Sequence, residues 1–289
     1  MSVENRVTAE VVSRLRNTGG FVFDLDGSLV LGDRTNKGLQ ALPGAGRMLE
    51  FLDNRGVPWL VMTNGTVRVP ASISAALSKA GLEIPAGKIM TPATVAASYF
   101  VRRKMKKILV LGIEGVWQPL VDAGLKVVRP LEDTDTIDAD AIFIGWYRQI
   151  HMDEVEAACN AVWNGASLYA ASMVPFFATR GGRALGSSRC IAAMITSITG
   201  RRAIPLGKPS QKVLRDAARR MDCSVSELVV LGDDPDLEVK MAIDGGALAV
   251  GVHTGIADSA AFAALPPERQ PHISCKDVGN FENWLSGIA

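Results

Sequence analysis

Short apolar runs recur along this sequence, and segments with a helical period separate them. Uninterrupted apolar runs of this length are typical of parallel strands that are buried on both faces, and their alternation with helices is typical of α/β proteins. The runs that predict strands span residues 21–25, 59–62, 108–111, 141–144, 168–171, 228–231 and 247–250. The pattern therefore predicts an α/β fold built on parallel sheet.

Helix start and stop signals agree with this prediction. Pro70 can open a helix that Gly81 closes, and Thr91 is a capping residue followed by a proline suited to a first turn. Residues 153–163 are amphipathic, with Gly165 beyond them. A chain of 289 residues is long enough for one large or two modest domains. No internal repeat or Gly/Ser linker separates two halves, so a second domain would be inserted through short connections.

Charge and cysteine content exclude several classes of protein. The 31 Lys and Arg residues against 30 Asp and Glu give a net charge of +1, so no chain-wide field attracts nucleic acid or an anionic membrane. The cysteines, at positions 159, 190, 223 and 275, lack the close spacing of zinc or dithiol sites, so we expect reduced core thiols. Without a signal-peptide pattern or a run of about 18 apolar residues, we expect a soluble cytoplasmic protein.

The strongest chemical signal is the sequence FVFDLDGS at residues 21–28. On a strand, the i, i+2 spacing would place the carboxylates of Asp24 and Asp26 on one side, at the end where open α/β sheets bind ligands. Two such charges need a cation or a shared proton. The pattern is thus compatible with a divalent ion or with a catalytic carboxyl pair, and equally with an ordinary acidic turn after a strand.

Three further segments place polar groups at predicted strand or helix ends. The strand 57–62 runs into Thr63-Asn64-Gly65-Thr66, whose hydroxyl and backbone N–H groups suit phosphate oxygens. Lys208 precedes a helix that Pro209 can open. Residues 228–232 lead into Asp233-Asp234-Pro235-Asp236-Leu237-Glu238. Taken singly, each has an ordinary explanation, such as a solvated lysine or an acidic helix start.

In order, the motifs DLDGS, TNGT, GKP and GDDPDLE resemble those of the haloacid dehalogenase-like superfamily of aspartate-nucleophile phosphatases. The long gap between Thr63 and Lys208 resembles subclass IIA, the 4-nitrophenyl phosphatase and NagD-like group, and residues 37–44 support this because they are similar to a segment found there. The resemblance implies a Rossmann-like parallel-sheet core with an inserted α/β cap. The core would comprise residues 1–85 and 205–289, and the cap residues 86–204.

The resemblance also implies roles for individual residues. Asp24 would be the nucleophile that forms an aspartyl-phosphate, and Asp26 the general acid and base. Mg²⁺ would be held by the side chains of Asp24 and Asp233 and by the backbone carbonyl of Asp26. Thr63, with the N–H groups of Asn64 and Gly65, would bind the phosphoryl oxygens. Lys208 would offset the negative charge that builds up in the transition state.

Two departures from the subclass pattern affect details of the site. Leu237-Glu238 replaces the more common Thr-Asp of the fourth motif, so Glu238 is the candidate that completes the metal site from a second layer, with Asp234 as competitor. In the cap, Tyr147 stands where an Asp is expected after the glycine of the preceding strand, and the segment 170–174 lacks the usual acid and amide. Substrate specificity therefore does not follow from the resemblance.

Aromatic and cationic residues of the predicted cap are candidate substrate contacts, because an apolar pocket with a few charges is typical of small-molecule sites. Packing of the aromatics in the cap's own core, with solvated arginines, is an equally good interpretation. The binding candidates are Trp146, Tyr147, Arg148 and Arg180, with Phe176, Phe177 and Arg183 nearby.

The sequence thus predicts a Mg²⁺-dependent phosphatase of a small phosphate ester, with relatives suggesting a homodimer formed through the cap. Within the superfamily, a phosphoryl transferase, a non-catalytic phosphate-binding relative and a phosphonatase stay open. Phosphonatase chemistry would need a cap lysine, for which Lys88, Lys104, Lys106 and Lys107 are available. Signalling receiver domains are less than half as long, and a dinucleotide-binding protein would need a G-x-G-x-x-G that the first strand lacks.

Overall fold

The computed structural model describes residues 7–32, 38–133, 138–179 and 182–288; the side chains of residues 177–179, 182 and 183 lie outside that description. The chain folds into two compact units. The first unit comprises residues 1–63, 73–89 and 209–289, and the second comprises residues 64–72 and 90–208. The core-and-cap division expected from the sequence stays a prediction.

The strands, in chain order, are β1 Gly20–Asp24, β2 Val30–Leu31, β3 Gln40–Ala41, β4 Trp59–Met62, β5 Ile89–Met90, β6 Lys107–Leu111, β7 Lys126–Val128, β8 Ala141–Ile144, β9 Ser167–Ala170, β10 Phe176–Thr179, β11 Gly182–Leu185, β12 Ile204–Pro205, β13 Leu228–Gly232, β14 Leu248–Val252 and β15 Ile273–Cys275. The helices are α1 Ala9–Arg16, α2 Ala45–Asn54, α3 Pro70–Lys79, α4 Pro92–Arg102, α5 Glu114–Asp122, α6 Met152–Trp163, α7 Ser187–Thr199, α8 Gln211–Arg220, α9 Lys240–Gly245, α10 Ser259–Ala263 and α11 Val278–Ile288.

The first unit is built on a sheet of order β15-β14-β13-β1-β4-β5. β1 lies between β13 and β4 and pairs parallel with both. Every residue of β1 is buried, as expected for a strand covered on both faces. Phe21 and Phe23 pack in the same core as residues of β13, β14 and α11. The predicted α/β architecture with a parallel sheet is confirmed.

The second unit has a parallel sheet of its own, of order β12-β9-β8-β6-β7, and the hairpin β10-β11. Apolar clusters lie on both sides of this sheet: Leu109 and Ile142 pack with α6 and α7, whereas Ile108 and Phe143 pack with α4 and α5. The alternation along β6 and β8 follows from the two-residue period of a strand. This unit therefore has a hydrophobic core of its own.

Local signals account for the helix ends. Thr91 caps α4 and exchanges hydrogen bonds with Thr94, and Pro92 occupies the first helical position, as the sequence predicts. The expected α3 and α6 also form, beginning at Pro70 and Met152. One detail differs, because α8 begins at Gln211 with Ser210 as its cap, so Pro209 precedes the helix instead of opening it. The Ser210 hydroxyl accepts from the Lys212 N–H, which a proline ring cannot do.

The cysteines carry free thiols, as expected. Cys159 and Cys275 are buried, and burial raises the pKa of Cys275 to about 12, so this thiol stays protonated and unreactive. Cys190 and Cys223 are only partly buried, which corrects the expectation of core positions for all of them. No helix in the described part of the chain is long and apolar enough to cross a membrane.

Candidate active site

Polar residues follow neighbouring strands of the first unit's sheet where those strands end. Asp24 is the last residue of β1, Asp233 comes directly after β13, and Thr63 comes directly after β4. Because parallel neighbours end at the same edge, the register Phe23↔Leu231 and Asp24↔Met62 places all of these residues side by side. Their exposed fractions are 3% for Asp24, 3% for Asp233 and 6% for Thr63. The sheet thus concentrates carboxylates and a hydroxyl at one protected edge.

Asp24 and Asp26 occupy different environments although only Leu25 separates them. The strand ends at Asp24, which is buried, and the Ser28 hydroxyl donates to its Oδ2 over 3.3 Å. Asp26 lies beyond the strand, is exposed to solvent and bridges Val30 across a tight turn. Only Asp24 belongs to the strand, so strand geometry does not place Asp26, contrary to the expectation that both side chains share one side of a strand. The turn brings Asp26 to the site instead, because the Thr63 hydroxyl donates to its Oδ2 over 3.1 Å.

Gly27 makes this turn possible. Its φ of 94° lies in the left-handed region that favours glycine, and a Cβ there would lie 2.5 Å from Asp233 Oδ2. The Gly27 N–H donates to the Val30 carbonyl over 2.8 Å and closes the turn. A side chain at this position would push the Asp233 carboxylate out of place.

The acidic segment after β13 separates into residues with different surroundings. The Asp234 side chain accepts from the Asp236 N–H over 2.8 Å and caps the π-helical turn Pro235–Val239. Glu238 is 1% exposed, lies against Gly232, and its Oε2 accepts from the Asp234 N–H over 3.3 Å. Asp236 pairs with Arg269 over 2.5 Å at the surface. Of the two candidates for completing the metal site, Glu238 is thus the buried one, and Asp234 serves as a cap.

Lys208 and Asn64 both belong to the second unit, where the Asn64 side chain forms hydrogen bonds with the Lys208 backbone. Asn64 Oδ1 accepts from the Lys208 N–H over 2.8 Å, and Asn64 Nδ2 donates to the Lys208 carbonyl over 3.1 Å. Lys208 is 5% exposed and directly precedes Pro209, where the chain re-enters the first unit. The Asn64 side chain therefore fixes the Lys208 backbone, which the sequence did not predict. Substrate contact by the Asn64 N–H group stays a prediction.

The candidate substrate contacts of the second unit follow β8. The Trp146 N–H donates to Thr66 Oγ1 over 3.0 Å, and the Tyr147 N–H donates to Ser187 Oγ over 3.2 Å. The Tyr147 hydroxyl donates to Glu154 Oε1 over 2.8 Å, and Tyr147 packs against the core of its unit. Of the two interpretations offered for the aromatic residues, packing in the core of their own unit is the one that the structure supports for Tyr147.

Burial, with a further contribution from Glu154, raises the pKa of Tyr147 to about 12, so its hydroxyl remains a donor at neutral pH. Trp146 is half-buried, with the Arg148 guanidinium 5.8 Å from its ring centre. Phe176 is exposed on β10, and the side chain of Phe177 lies outside the described residues. Arg180 lies outside the described residues, as does the side chain of Arg183. Substrate contact by Trp146, Arg148 and Arg180 stays a prediction.

Two family profiles match the sequence in the order that the motifs predict. The haloacid dehalogenase-like hydrolase profile matches residues 21–126, and a second, HAD-hydrolase-like profile matches residues 205–281. The chain belongs to the haloacid dehalogenase-like hydrolases. Within this superfamily it is a phosphatase of the NagD-like subclass IIA, which confirms the resemblance read from its motifs.

Curated relatives of this haloacid dehalogenase-like protein are named as phosphatases. The dihydroxyacetone phosphatase of Corynebacterium glutamicum is 29% identical over 248 residues, which cover 85% of each chain. The ribonucleotide monophosphatase NagD of Escherichia coli is 25% identical over 226 residues, which cover 78% of this chain and 86% of that protein. These alignments extend through most of both chains and are not confined to the motifs.

Solved structures of the superfamily share the fold. NagD of Escherichia coli superposes with a TM-score of 0.78 at 23% identity, covering 91% of this chain and 98% of its own. The glycerol phosphate phosphatase of Mycobacterium tuberculosis, crystallised with magnesium, superposes with a TM-score of 0.76 at 24% identity, covering 95% of this chain and 77% of its own. At these identities the similarity establishes the fold.

Proposed function

We propose that this protein is a Mg²⁺-dependent phosphatase that hydrolyses a small-molecule phosphomonoester through an aspartyl-phosphate at Asp24. The observation that carries the proposal is the placement of Asp24, Asp233 and Thr63 at the ends of neighbouring strands, with both carboxylates buried. Relatives named for the hydrolysis of dihydroxyacetone phosphate and ribonucleoside monophosphates support a small phosphate ester as substrate.

The donor set at this edge suits Mg²⁺. Within the described ranges, no three His, Cys, Asp or Glu side chains are grouped as ligands of one ion. Mg²⁺ does not require such a group, because it is usually bound through one or two carboxylates and keeps several waters. The side chains of Asp24 and Asp233 and the backbone carbonyl of Asp26 supply hard oxygen donors of this kind. When bound, the ion would offset the repulsion between the carboxylates and neutralise charge on the phosphoryl group.

In the first half of the reaction, a carboxylate oxygen of Asp24 attacks phosphorus and forms the aspartyl-phosphate. The bond between phosphorus and the ester oxygen breaks, and Asp26 donates a proton to the departing alkoxide, which leaves as the alcohol. Ser28 orients Asp24 through its hydrogen bond to Oδ2. The exposed position of Asp26 lets it exchange protons with solvent, whereas the buried Asp24 is suited to covalent chemistry.

In the second half, water attacks the phosphorus of the aspartyl-phosphate. Asp26, now deprotonated, accepts a proton from this water, and the bond between phosphorus and the Asp24 oxygen breaks. Inorganic phosphate leaves, and both carboxyl groups return to their starting states. Before a phosphoryl group binds, the hydrogen bond from Thr63 to Asp26 Oδ2 orients the acid and base.

The roles proposed for Thr63 and Lys208 rest on the motifs that contain these residues. The Thr63 hydroxyl and the N–H groups that follow it would bind the transferring phosphoryl oxygens, and the Lys208 ammonium would stabilise the charge that builds on them. Asn64 would act through Lys208, since its amide holds both backbone polar groups of that residue.

Two lysines that phosphonate chemistry could use are already engaged. Lys88 Nζ lies 3.1 Å from Asp53 and 3.5 Å from the centre of the Trp59 ring. Lys107 is buried and pairs with Asp138. These contacts favour ester hydrolysis over a mechanism in which one of these lysines attacks a carbonyl substrate.

Release of inorganic phosphate with Mg²⁺ and with EDTA tests the proposal. The substrates are 4-nitrophenyl phosphate and a panel containing dihydroxyacetone phosphate, glycerol phosphate, sugar phosphates and ribonucleoside monophosphates. We expect turnover that requires Mg²⁺ and is restored when Mg²⁺ is added back after EDTA. Turnover that is equal in EDTA would contradict the metal requirement, and no turnover with Mg²⁺ binding intact would favour a non-catalytic phosphate-binding role.

A further inference from the structure

The loop after β14 lies beside the proposed metal site, although none of the recognised motifs contains it. β14 pairs parallel with β13, with Gly232 opposite Gly251. The residues that follow each strand, Asp233 on one and His253-Thr254-Gly255-Ile256 on the other, therefore meet at the same edge. This proximity depends on the order of strands in the sheet.

Asp233 is held by this loop through both its side chain and its main chain. The Ile256 N–H donates to Asp233 Oδ2 over 2.7 Å, and the Ala257 N–H donates to the Asp233 carbonyl over 3.2 Å. A hydrogen bond to one carboxylate oxygen limits rotation of the group and so determines which way the other oxygen points. The loop thereby orients a carboxylate proposed to bind Mg²⁺.

Two glycines from separate loops leave room for the same carboxylate. A Cβ on Gly255 would overlap Asp233 Oδ2, and a Cβ on Gly27 would come within 2.5 Å of the same atom. The Asp233 carboxylate therefore lies in a slot between two main chains. Any side chain at Gly255 would have to displace it.

Thr254 joins the two sides of this slot. Its hydroxyl donates to the Gly27 carbonyl over 2.5 Å, and Gly27 follows Asp26, whose own carbonyl belongs to the proposed donor set. The base of the loop is anchored as well: the His253 N–H donates to the Cys275 carbonyl over 3.1 Å, and His253 Nε2 lies 2.7 Å from Ser274 Oγ. The Asp26-Gly27 turn is thus connected to the loop that orients Asp233.

We infer that Thr254, Gly255 and Ile256 are positioning residues that set the Mg²⁺ affinity of the site. They hold the Asp233 carboxylate and the Asp26-Gly27 turn at a fixed separation, so that Mg²⁺ meets oxygens already in place. The inference rests on the proposed function. Outer-layer partners of metal ligands typically change metal affinity by roughly 10–100-fold, which is the size of effect that we expect here.

The test compares Thr254→Val, which removes the hydroxyl at nearly constant shape, with Thr254→Ser, which keeps it. Thr18→Val is the matched control, because the Thr18 hydroxyl also donates to a backbone carbonyl, that of Glu227 over 2.9 Å, but precedes β1 at the opposite end from Asp24. Mg²⁺ affinity is measured without substrate by calorimetry, together with the Mg²⁺-induced rise in melting temperature and with kcat and KM. Gly255→Ala is the second variant.

We expect Thr254→Val to bind Mg²⁺ about tenfold more weakly, with Thr254→Ser and Thr18→Val within about threefold of the wild type. At saturating Mg²⁺ the kcat of Thr254→Val should return towards the wild-type value with KM little changed. A simple loss of stability would lower the melting temperature with and without Mg²⁺ equally, whereas weaker binding reduces the Mg²⁺-induced rise. Gly255→Ala should reduce that rise at least as strongly.

Unchanged Mg²⁺ affinity in both Thr254→Val and Gly255→Ala would overturn the inference while leaving the proposed function intact, provided that the wild type binds Mg²⁺ and releases phosphate. A wild type that neither binds Mg²⁺ nor hydrolyses any ester would overturn both. Equal weakening by Thr18→Val and Thr254→Val would also count against the inference, because it would show a general loss of stability.

Discussion

The two units of this protein use the same parallel-sheet architecture but end their strands differently. In the first unit, the neighbours β13, β1 and β4 lead to Asp233, Asp24 and Thr63. In the second, the neighbours β9, β8 and β6 lead directly to Ala171, Gly145 and Gly112. The comparison shows that the chemistry depends on which side chains stand at the strand ends, and that a parallel sheet alone does not provide it.

The largest difference in kcat should appear when an acid near a strand end is neutralised in one unit and then in the other. Asp24→Asn removes the proposed nucleophile and should lower kcat at least about a thousandfold. Glu114→Gln alters an exposed acid just past the end of β6 in the second unit and should leave kcat within about twofold. Phosphate release from 4-nitrophenyl phosphate measures both. Comparable losses in the two variants would remove the distinction between the sheets.

A smaller effect should come from substitution of Asn64 and Lys208. Lys208→Ala should cost about 2–4 kcal/mol of transition-state stabilisation, and Asn64→Ala about tenfold in kcat. Because Asn64 acts through the Lys208 backbone, Asn64→Ala should have little further effect in the Lys208→Ala background. Fully additive losses in this double-mutant cycle would show that Asn64 acts independently of Lys208.

Tyr147→Phe should affect stability more than activity, since the Tyr147 hydroxyl is bonded to the buried Glu154. We expect a loss of about 1 kcal/mol in unfolding free energy at pH 8, with kcat on 4-nitrophenyl phosphate unchanged. Because the folded pKa of Tyr147 is raised to about 12, this contribution is fully present below the ordinary value of 10 and is lost as the pH rises towards 12. Urea unfolding at pH 8 measures the loss, and a large fall in kcat instead would assign Tyr147 to catalysis.

The smallest effect concerns His272 in the first unit, remote from the strand ends that carry the proposed chemistry. Burial lowers the pKa of His272, and its Nδ1 accepts from the Ala249 N–H over 3.0 Å. The unfolded chain therefore binds this proton at a higher pH, so the contribution to stability is complete above about 6.5 and is lost as the pH falls through the folded value. His272→Gln should flatten the dependence of the urea midpoint on pH between 7 and 5. An unchanged dependence would contradict this assignment.

Much of the fold could be predicted because its signals are local. Apolar runs of four or five residues marked β1, β4, β8 and β13, and Thr91 with Pro92 marked the start of α4. The position of Asp26 was less predictable, since the strand ends at Asp24 and the turn at Gly27, not strand geometry, brings Asp26 to Thr63. The sequence shows that such a turn is possible but not where it points.

The remaining features depend on which elements become neighbours. Thr254 and Gly255 matter because β14 lies beside β13, and the sequence does not give that order. The only local sign of this loop in the sequence is a glycine after the apolar run 247–250. Asn64 contacts Lys208 across 144 positions of sequence, and the burial of Glu238 and the capping role of Asp234 depend on how the π-helical turn closes. Such contacts are set by tertiary packing.

The central claim is that Asp24 forms a covalent bond to phosphorus. Asp26→Asn should slow hydrolysis of the intermediate more than its formation when the leaving group is good, because the base is lost while 4-nitrophenolate needs little protonation. Acid quenching of this variant after mixing with 4-nitrophenyl phosphate and Mg²⁺, followed by peptide mass spectrometry, should find one phosphoryl group on Asp24. Release of 4-nitrophenolate with no phosphorylated peptide, or with the phosphoryl group on another residue, would contradict the account.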